Sequence, residues 1–192
     1  MNRSRRLRLA SPSGGRSPLL PPAELERAAR DLLSTAASQG VKAAVAGGLA
    51  LQQYGSPRLT GDLDVVASAP IAGFRKQKSL VFGGESVVGP GGVPTDIIRR
   101  DDAYRRLYAA GLRHAKPVNG MLIIQPEYLA AMKLAAGRTK DIADLEWMFA
   151  ERVVNLRKAM EVVAEYVGGE YAARDLETIA MEVEWKRKRG ML

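Results

Sequence analysis

The stretch VAGGLALQQYGSPRLTGDLDVV, from Val45 to Val66, constrains the fold of this chain more than any other. An apolar run, VKAAVA, stops at the pair Gly47 and Gly48, GLALQQYG follows with helical spacing to Gly55, and DLDVVAS reads as a second strand. Strand, glycine turn, helix and strand thus follow in close succession. Alternate residues of a strand share a face, so Asp62 and Asp64 project together while Leu63 and Val65 point into a core. Two such neighbouring carboxylates repel each other unless a cation or several donors lie between them.

A third acid is available farther on. In VPTDIIRR, Asp96 stands inside a short apolar run, where a charge is costly unless it has a use. If its strand lies beside the first, Asp62, Asp64 and Asp96 meet on one face and could bind two metals about 4 Å apart. The chain has no cysteine and a single histidine, so thiolate and histidine-rich sites are excluded and oxygen must hold any metal. Mg²⁺ suits such a set, because it takes one or two carboxylates together with substrate phosphates and water. Gly47 and Gly48 then acquire a second meaning. Without side chains they let a phosphate reach the backbone, and free N–H groups at a helix start attract anions. Taken singly, a glycine pair is ordinary turn chemistry and a DxD run is an ordinary solvated strand face.

The 192 residues, 46% of them hydrophobic, are enough for one core, and an α+β fold is expected. Residues 1–22 read as a disordered basic tail rich in Arg, Ser, Gly and Pro. Residues 23–125 read as the core domain: a first helix over AELERAARDLLSTAASQG, the strand–glycine–helix–strand unit, an antiparallel meander over KSLVFGGESVVGPGGVPTDIIRR, a helix over AYRRLYAAGL and a strand at MLIIQP. Residues 126–192 read as a helical region, from EYLAAMKLAAGR through two or three further helices punctuated by Gly168 and Gly169. The expected architecture is a small mixed sheet packed on helices, followed by a helical C-terminal region. Tyr104, Leu107 and Tyr108, like Trp147, Met148 and Val153, have the spacing of packed helix faces, and His114 reads as a surface or packing residue.

The net charge of +8 resides at the two ends. Five arginines precede Ala23 and four basic residues run from Lys186 to Arg189, both without an acid, and the remainder is close to neutral. No apolar run approaches the ~20 residues of a membrane span, and the N-terminus has no apolar signal segment, so a cytoplasmic protein with no membrane partner is expected.

The order GG, thirteen residues, DLD and a later apolar-Asp-apolar triplet resembles the nucleotidyltransferases of the DNA polymerase β superfamily. With PEYLAAMKLAAGRTKDIADL added, it resembles more narrowly the minimal bacterial nucleotidyltransferases related to abortive-infection (AbiEii-type) toxins, over roughly Ala23 to Phe149. The resemblance implies a nucleotidyltransferase core in which Gly47 and Gly48 cradle the phosphates of an NTP such as ATP. Asp62 and Asp64 would bind Mg²⁺, or Mn²⁺, in a two-metal site, and Asp96 would be the third acid, activating the acceptor hydroxyl. Gly48 departs from the pattern, since many relatives carry serine there. Lys133, set among alanine and leucine, becomes a candidate triphosphate ligand, the other reading being a lysine snorkelling from an apolar helix.

Arg58 and Thr60, in the approach SPRLTGDLD, are candidate nucleotide-binding residues, with Thr60 on the face of Asp62 if the strand begins that early. Asp141 and Asp144 are three apart on one helical face, within reach of Lys140 or Arg138. Lys140, Asp141 and Asp144 read equally as part of the nucleotide site or as the charge pattern of a helix start. The expected activity is transfer of a nucleoside monophosphate to an acceptor hydroxyl: RNA such as tRNA, a protein, or a small molecule. A toxin-like enzyme would also have an antitoxin partner. The rival expectation is a non-catalytic protein that keeps this fold and uses its basic ends to hold nucleic acid or a partner.

Overall fold

The computed structural model describes residues 19–192, so the expected basic tail lies outside the described residues except for its last four. Of those four, Leu20 already belongs to the fold, donating its backbone N–H to the Thr60 carbonyl at 3.2 Å. Helix α1, Pro22–Ser38, starts on its proline and turns Leu25, Ala28, Ala29, Leu32 and Ala36 inward at the three- and four-residue spacing of a single face.

Seven strands form one mixed sheet. They are β1 (Ala43–Ala46), β2 (Leu63–Ala67), β3 (Arg75–Ser79), β4 (Gly84–Val88), β5 (Pro94–Ile98), β6 (Lys116–Val118) and β7 (Met121–Ile123), in the order β3-β4-β5-β2-β1-β7-β6. The interior strand β1 is buried at all four positions, as an all-apolar strand covered on both faces must be. It pairs antiparallel with β2 and parallel with β7, and β2 pairs parallel with β5. The expected meander is present as β3-β4-β5, but its first strand is RKQKS, exposed at every position, and Val81 and Phe82 lie in the turn that follows. Strand β2 begins at Leu63, so Asp62 and Thr60 precede the strand.

Helix α2, Gly47–Gln53, follows β1 without a break, and α3, Arg105–Arg113, follows β5. Helices α4 (Pro126–Ala136), α5 (Thr139–Ala150), α6 (Leu156–Val163) and α7 (Gly169–Lys188) make up the helical region, with a π-turn at Ala164–Gly168 before α7. One cluster of buried residues runs from Leu25 on α1 to Leu176 on α7, so sheet and helices share a core. No helix among the described residues is long and apolar enough to cross a membrane.

Candidate functional site

Register brings two of the three acids together. In the parallel pair of β2 and β5, Asp64 stands directly opposite Asp96, and equivalent positions on paired strands face the same side. The antiparallel partner of Asp64 on the other side is Ala46, so Gly47 arrives beside the same carboxylate. Gly47 has φ +60°, a left-handed conformation, and a Cβ there would lie 1.9 Å from Asp64 Oδ2. Both the turn and the close approach therefore require glycine. No side chain caps the start of α2.

Gly48 answers to a different neighbour. A Cβ on it would meet Thr60 atoms at 2.8 to 3.0 Å, so Thr60 fills the space that a serine side chain would need. The Thr60 hydroxyl donates to Asp62 Oδ1 at 2.6 Å. Asp62 is thereby held in the bend before β2, near enough for its charge to act on Asp64.

Asp64 and Asp96 line a cavity of about 390 Å³ together with Gly47, Lys133, Arg138 and Asp141. Among the described residues neither the Asp64 nor the Asp96 carboxylate accepts a hydrogen bond or joins an ion pair. Burial first, then the charges of Asp62 and Asp96, push the Asp64 carboxyl up to about 6, against weaker opposition from Lys133 and Lys140. Among the described residues no group of three or more His, Cys, Asp or Glu side chains is placed to hold a metal ion on its own. Two unpaired carboxylates with oxygen donors only fit a hard divalent cation whose remaining ligands come from phosphate and water.

The second group of charges has a local origin. Gly137 caps α4 in a left-handed turn, so Lys133, four residues before it, meets Asp141, four residues after it. Lys133 Nζ lies 3.1 Å from Asp141 Oδ1 and 2.6 Å from Asp144 Oδ2, with all three side chains buried. Arg138 binds Asp141 from outside at 2.6 Å, and Arg58 grips Asp144 with two hydrogen bonds of 2.7 and 3.0 Å. Burial alone would raise the Asp141 carboxyl. The Arg138 hydrogen bond and the Lys133 charge outweigh it and hold the group below the usual carboxylate range.

Of the candidate residues, Gly47, Asp64, Asp96, Lys133 and Asp141 line the cavity. Arg58 and Asp144 are joined behind it, Lys140 is exposed in the first turn of α5, and Asp62, Thr60 and Gly48 form the adjoining bend. The sequence reading missed the far wall, made by Phe82, Arg100 and Tyr108. Arg100 lies 4.5 Å from the centre of the Phe82 ring and 5.0 Å from that of Tyr108, while its guanidinium pairs with Asp102. Tyr108, expected to be a packing residue, faces the cavity, and burial above all pushes its phenol up to about 12.

Solved structures share this arrangement of elements. A candidate nucleotidyltransferase from H. pylori is 17% identical, with a TM-score of 0.51 over 87% of this chain and 96% of its own. An antigenic nucleotidyltransferase-like protein from Paracoccidioides brasiliensis is 17% identical, with a TM-score of 0.50 over 87% and 90%. The antibiotic-resistance factor ANT(2'')-Ia is 15% identical, with a TM-score of 0.52 over 81% and 97%. No protein-family model matches the chain, and no curated protein matches it in sequence. The fold is therefore that of the nucleotidyltransferases.

Proposed function

We propose that this protein is a Mg²⁺-dependent nucleotidyltransferase that transfers a nucleoside monophosphate from an NTP to an acceptor hydroxyl. The observation that carries the reading is the register of Asp64 and Asp96, two unpaired carboxylates facing one cavity beside a glycine where any side chain would be strained and crowd Asp64.

In this reading the triphosphate lies over Gly47 and Gly48, whose backbone N–H groups donate to it, and Lys133 and Arg138 on the cavity wall attract its β- and γ-phosphates. Asp64 and Asp96, with Asp62 recruited from its bond to Thr60, would hold Mg²⁺ or Mn²⁺, alone or as a pair. When bound, the metal neutralises charge on the phosphates and on the attacking and leaving oxygens. The acceptor oxygen attacks the α-phosphorus, its proton passes to Asp96, and the bond to the β-phosphate oxygen breaks. Pyrophosphate leaves with that electron pair. Phe82, Arg100 and Tyr108 form the wall against which acceptor and nucleotide are positioned.

RNA, tRNA among its forms, is the acceptor proposed, because the basic residues at the two ends of the chain suit a polyanion and the resemblance to toxin-like nucleotidyltransferases points the same way. The relation to AbiEii-type toxins, and with it an antitoxin partner and a cytoplasmic site of action, belongs to the same proposal and rests on the run PEYLAAMKLAAGRTKDIADL. The test is incubation of the full chain with each α-labelled NTP, Mg²⁺ or Mn²⁺, and separate pools of RNA, protein and small acceptors. Label entering RNA, and lost with Asp64→Asn, is expected. Folded protein that labels nothing under any of these conditions would leave only a binding role.

A further inference from the structure

Beyond Ile98, Arg100 and Tyr108 lies a second cavity, of about 540 Å³, which shares those three residues with the first. Its other polar walls are Lys42, Ser68, Arg99, Arg105, Arg113 and one acid, Asp101. Among the described residues, Lys42, Arg99, Arg105 and Arg113 make no salt bridge to any carboxylate. The Nε of Arg99 is buried without a hydrogen-bond partner. Four cations without a carboxylate partner around one concavity make a region of positive potential that favours an anion, and the buried, unbonded Nε of Arg99 adds a donor there without a protein acceptor.

The position of this cavity limits what that anion is. Ile98, two residues after Asp96 and on the same face of β5, lines both cavities, and its partner Val66 lines the second, which therefore begins about 7 Å from Asp96 at the rise of a strand. A ligand filling both cavities therefore has a reactive end at Asp64 and Asp96 and negative charge a short distance away. We infer that this second cavity binds the backbone phosphates of a single-stranded RNA acceptor, behind the nucleotide whose hydroxyl reacts. This rests on the proposed transferase activity for its direction along the strand. Arg100 is held rigid by Asp102 and three aromatic rings, and forms the divide between the two cavities. A basic groove with an aromatic wall is the usual platform for single strands.

The experiment measures binding without catalysis. Full-length protein is titrated into a fluorescein-labelled mixed-sequence 12-nucleotide RNA, without NTP or divalent metal, from 50 to 300 mM KCl, and read by anisotropy. Arg105→Gln with Arg113→Gln removes two exposed cations of the cavity. Arg187→Gln with Arg189→Gln removes two exposed cations from the end of α7 as a matched control. Losing two phosphate contacts should flatten the slope of log K against log salt by about 1.4 and weaken binding about tenfold near 0.15 M salt. The α7 variant should stay within about twofold, both variants should melt as the wild type does, and a nucleoside monophosphate should compete only weakly. Equal losses in the two variants, no loss in the cavity variant, or monophosphate binding as tight as that of the RNA would each overturn the inference. Cavity-dependent RNA binding by a protein that labels nothing would sink the transferase reading and leave this site standing. Transfer to a protein or small acceptor with no cavity dependence in RNA binding would do the reverse.

Discussion

Two pairs of aspartates lie within this fold, and they are satisfied in opposite ways. Asp141 and Asp144 are buried on α5, but each touches Lys133 and each has an arginine of its own, Arg138 or Arg58. Asp64 and Asp96 face a cavity from paired strands and, among the described residues, have no donor at all. A paired buried carboxylate needs nothing from outside, and its loss exposes the partner charge. An unpaired one lining a cavity is open to water, to a proton or to a cation. The contrast is between an acid pair that ties the helical region to the approach to β2 and one that the proposed function assigns to a metal-bound nucleotide.

The largest effect expected from breaking this contrast is on activity. Asp64→Asn or Asp96→Asn should lower label transfer by about a thousandfold, the scale of losing several kcal/mol of transition-state charge stabilisation, without lowering the urea midpoint at neutral pH. Asp144→Asn should do the opposite in kind. It leaves Arg58 without its carboxylate and Lys133 with Asp141 alone, and should cost about 3 kcal/mol of stability, seen as a lower urea midpoint with or without Mg²⁺. Gly47→Ala is expected to cost about 2 kcal/mol, from the left-handed backbone and the contact with Asp64, and to abolish the thermal shift given by Mg²⁺ with NTP.

The pH dependence sharpens the contrast with a smaller effect. The Asp64 carboxyl is raised from 3.8 to about 6, so the folded state favours its protonated form. The stability it contributes is present below about pH 4 and is lost as pH rises through about 6. Asp141 is lowered, so its contribution is present above the usual carboxylate range and is lost as acid protonates it in the folded state. Thermal melts between pH 4 and 7 should show the first trend in wild type and not in Asp64→Asn. Mg²⁺ with NTP should reduce it.

What was legible in the sequence follows from what is local. The glycine pair, the strand at Val65 and the acid at Asp96 were readable because apolar runs, turns and alternation are written in consecutive residues. The start of β2 was not, because the Thr60 hydroxyl bonds the Asp62 side chain and holds the chain in a bend at a point where alternation alone predicts strand. Strand β3 was misplaced because RKQKS has no buried side chain and is held by its backbone pairing to β4, which no hydropathy pattern reports. The ion-pair network was only half legible. The spacing of Asp141 and Asp144 placed them on one face, but Arg58 is 86 residues from Asp144, and only the fold brings them together. The near-neutral middle of the chain likewise concealed a segregation of charge, since Lys42, Arg99, Arg105 and Arg113 cancel against acids in a count and not in space.

The most direct test of the contrast is a crystal structure of the full chain with Mn²⁺ and a non-hydrolysable NTP, the metal located by its anomalous scattering. Metal is expected between the Asp64 and Asp96 carboxylates and the triphosphate, with the phosphates against Gly47 and with Asp141 and Asp144 still bound to Lys133. Metal at Asp141 and Asp144, or a nucleotide bound away from Gly47, would contradict it.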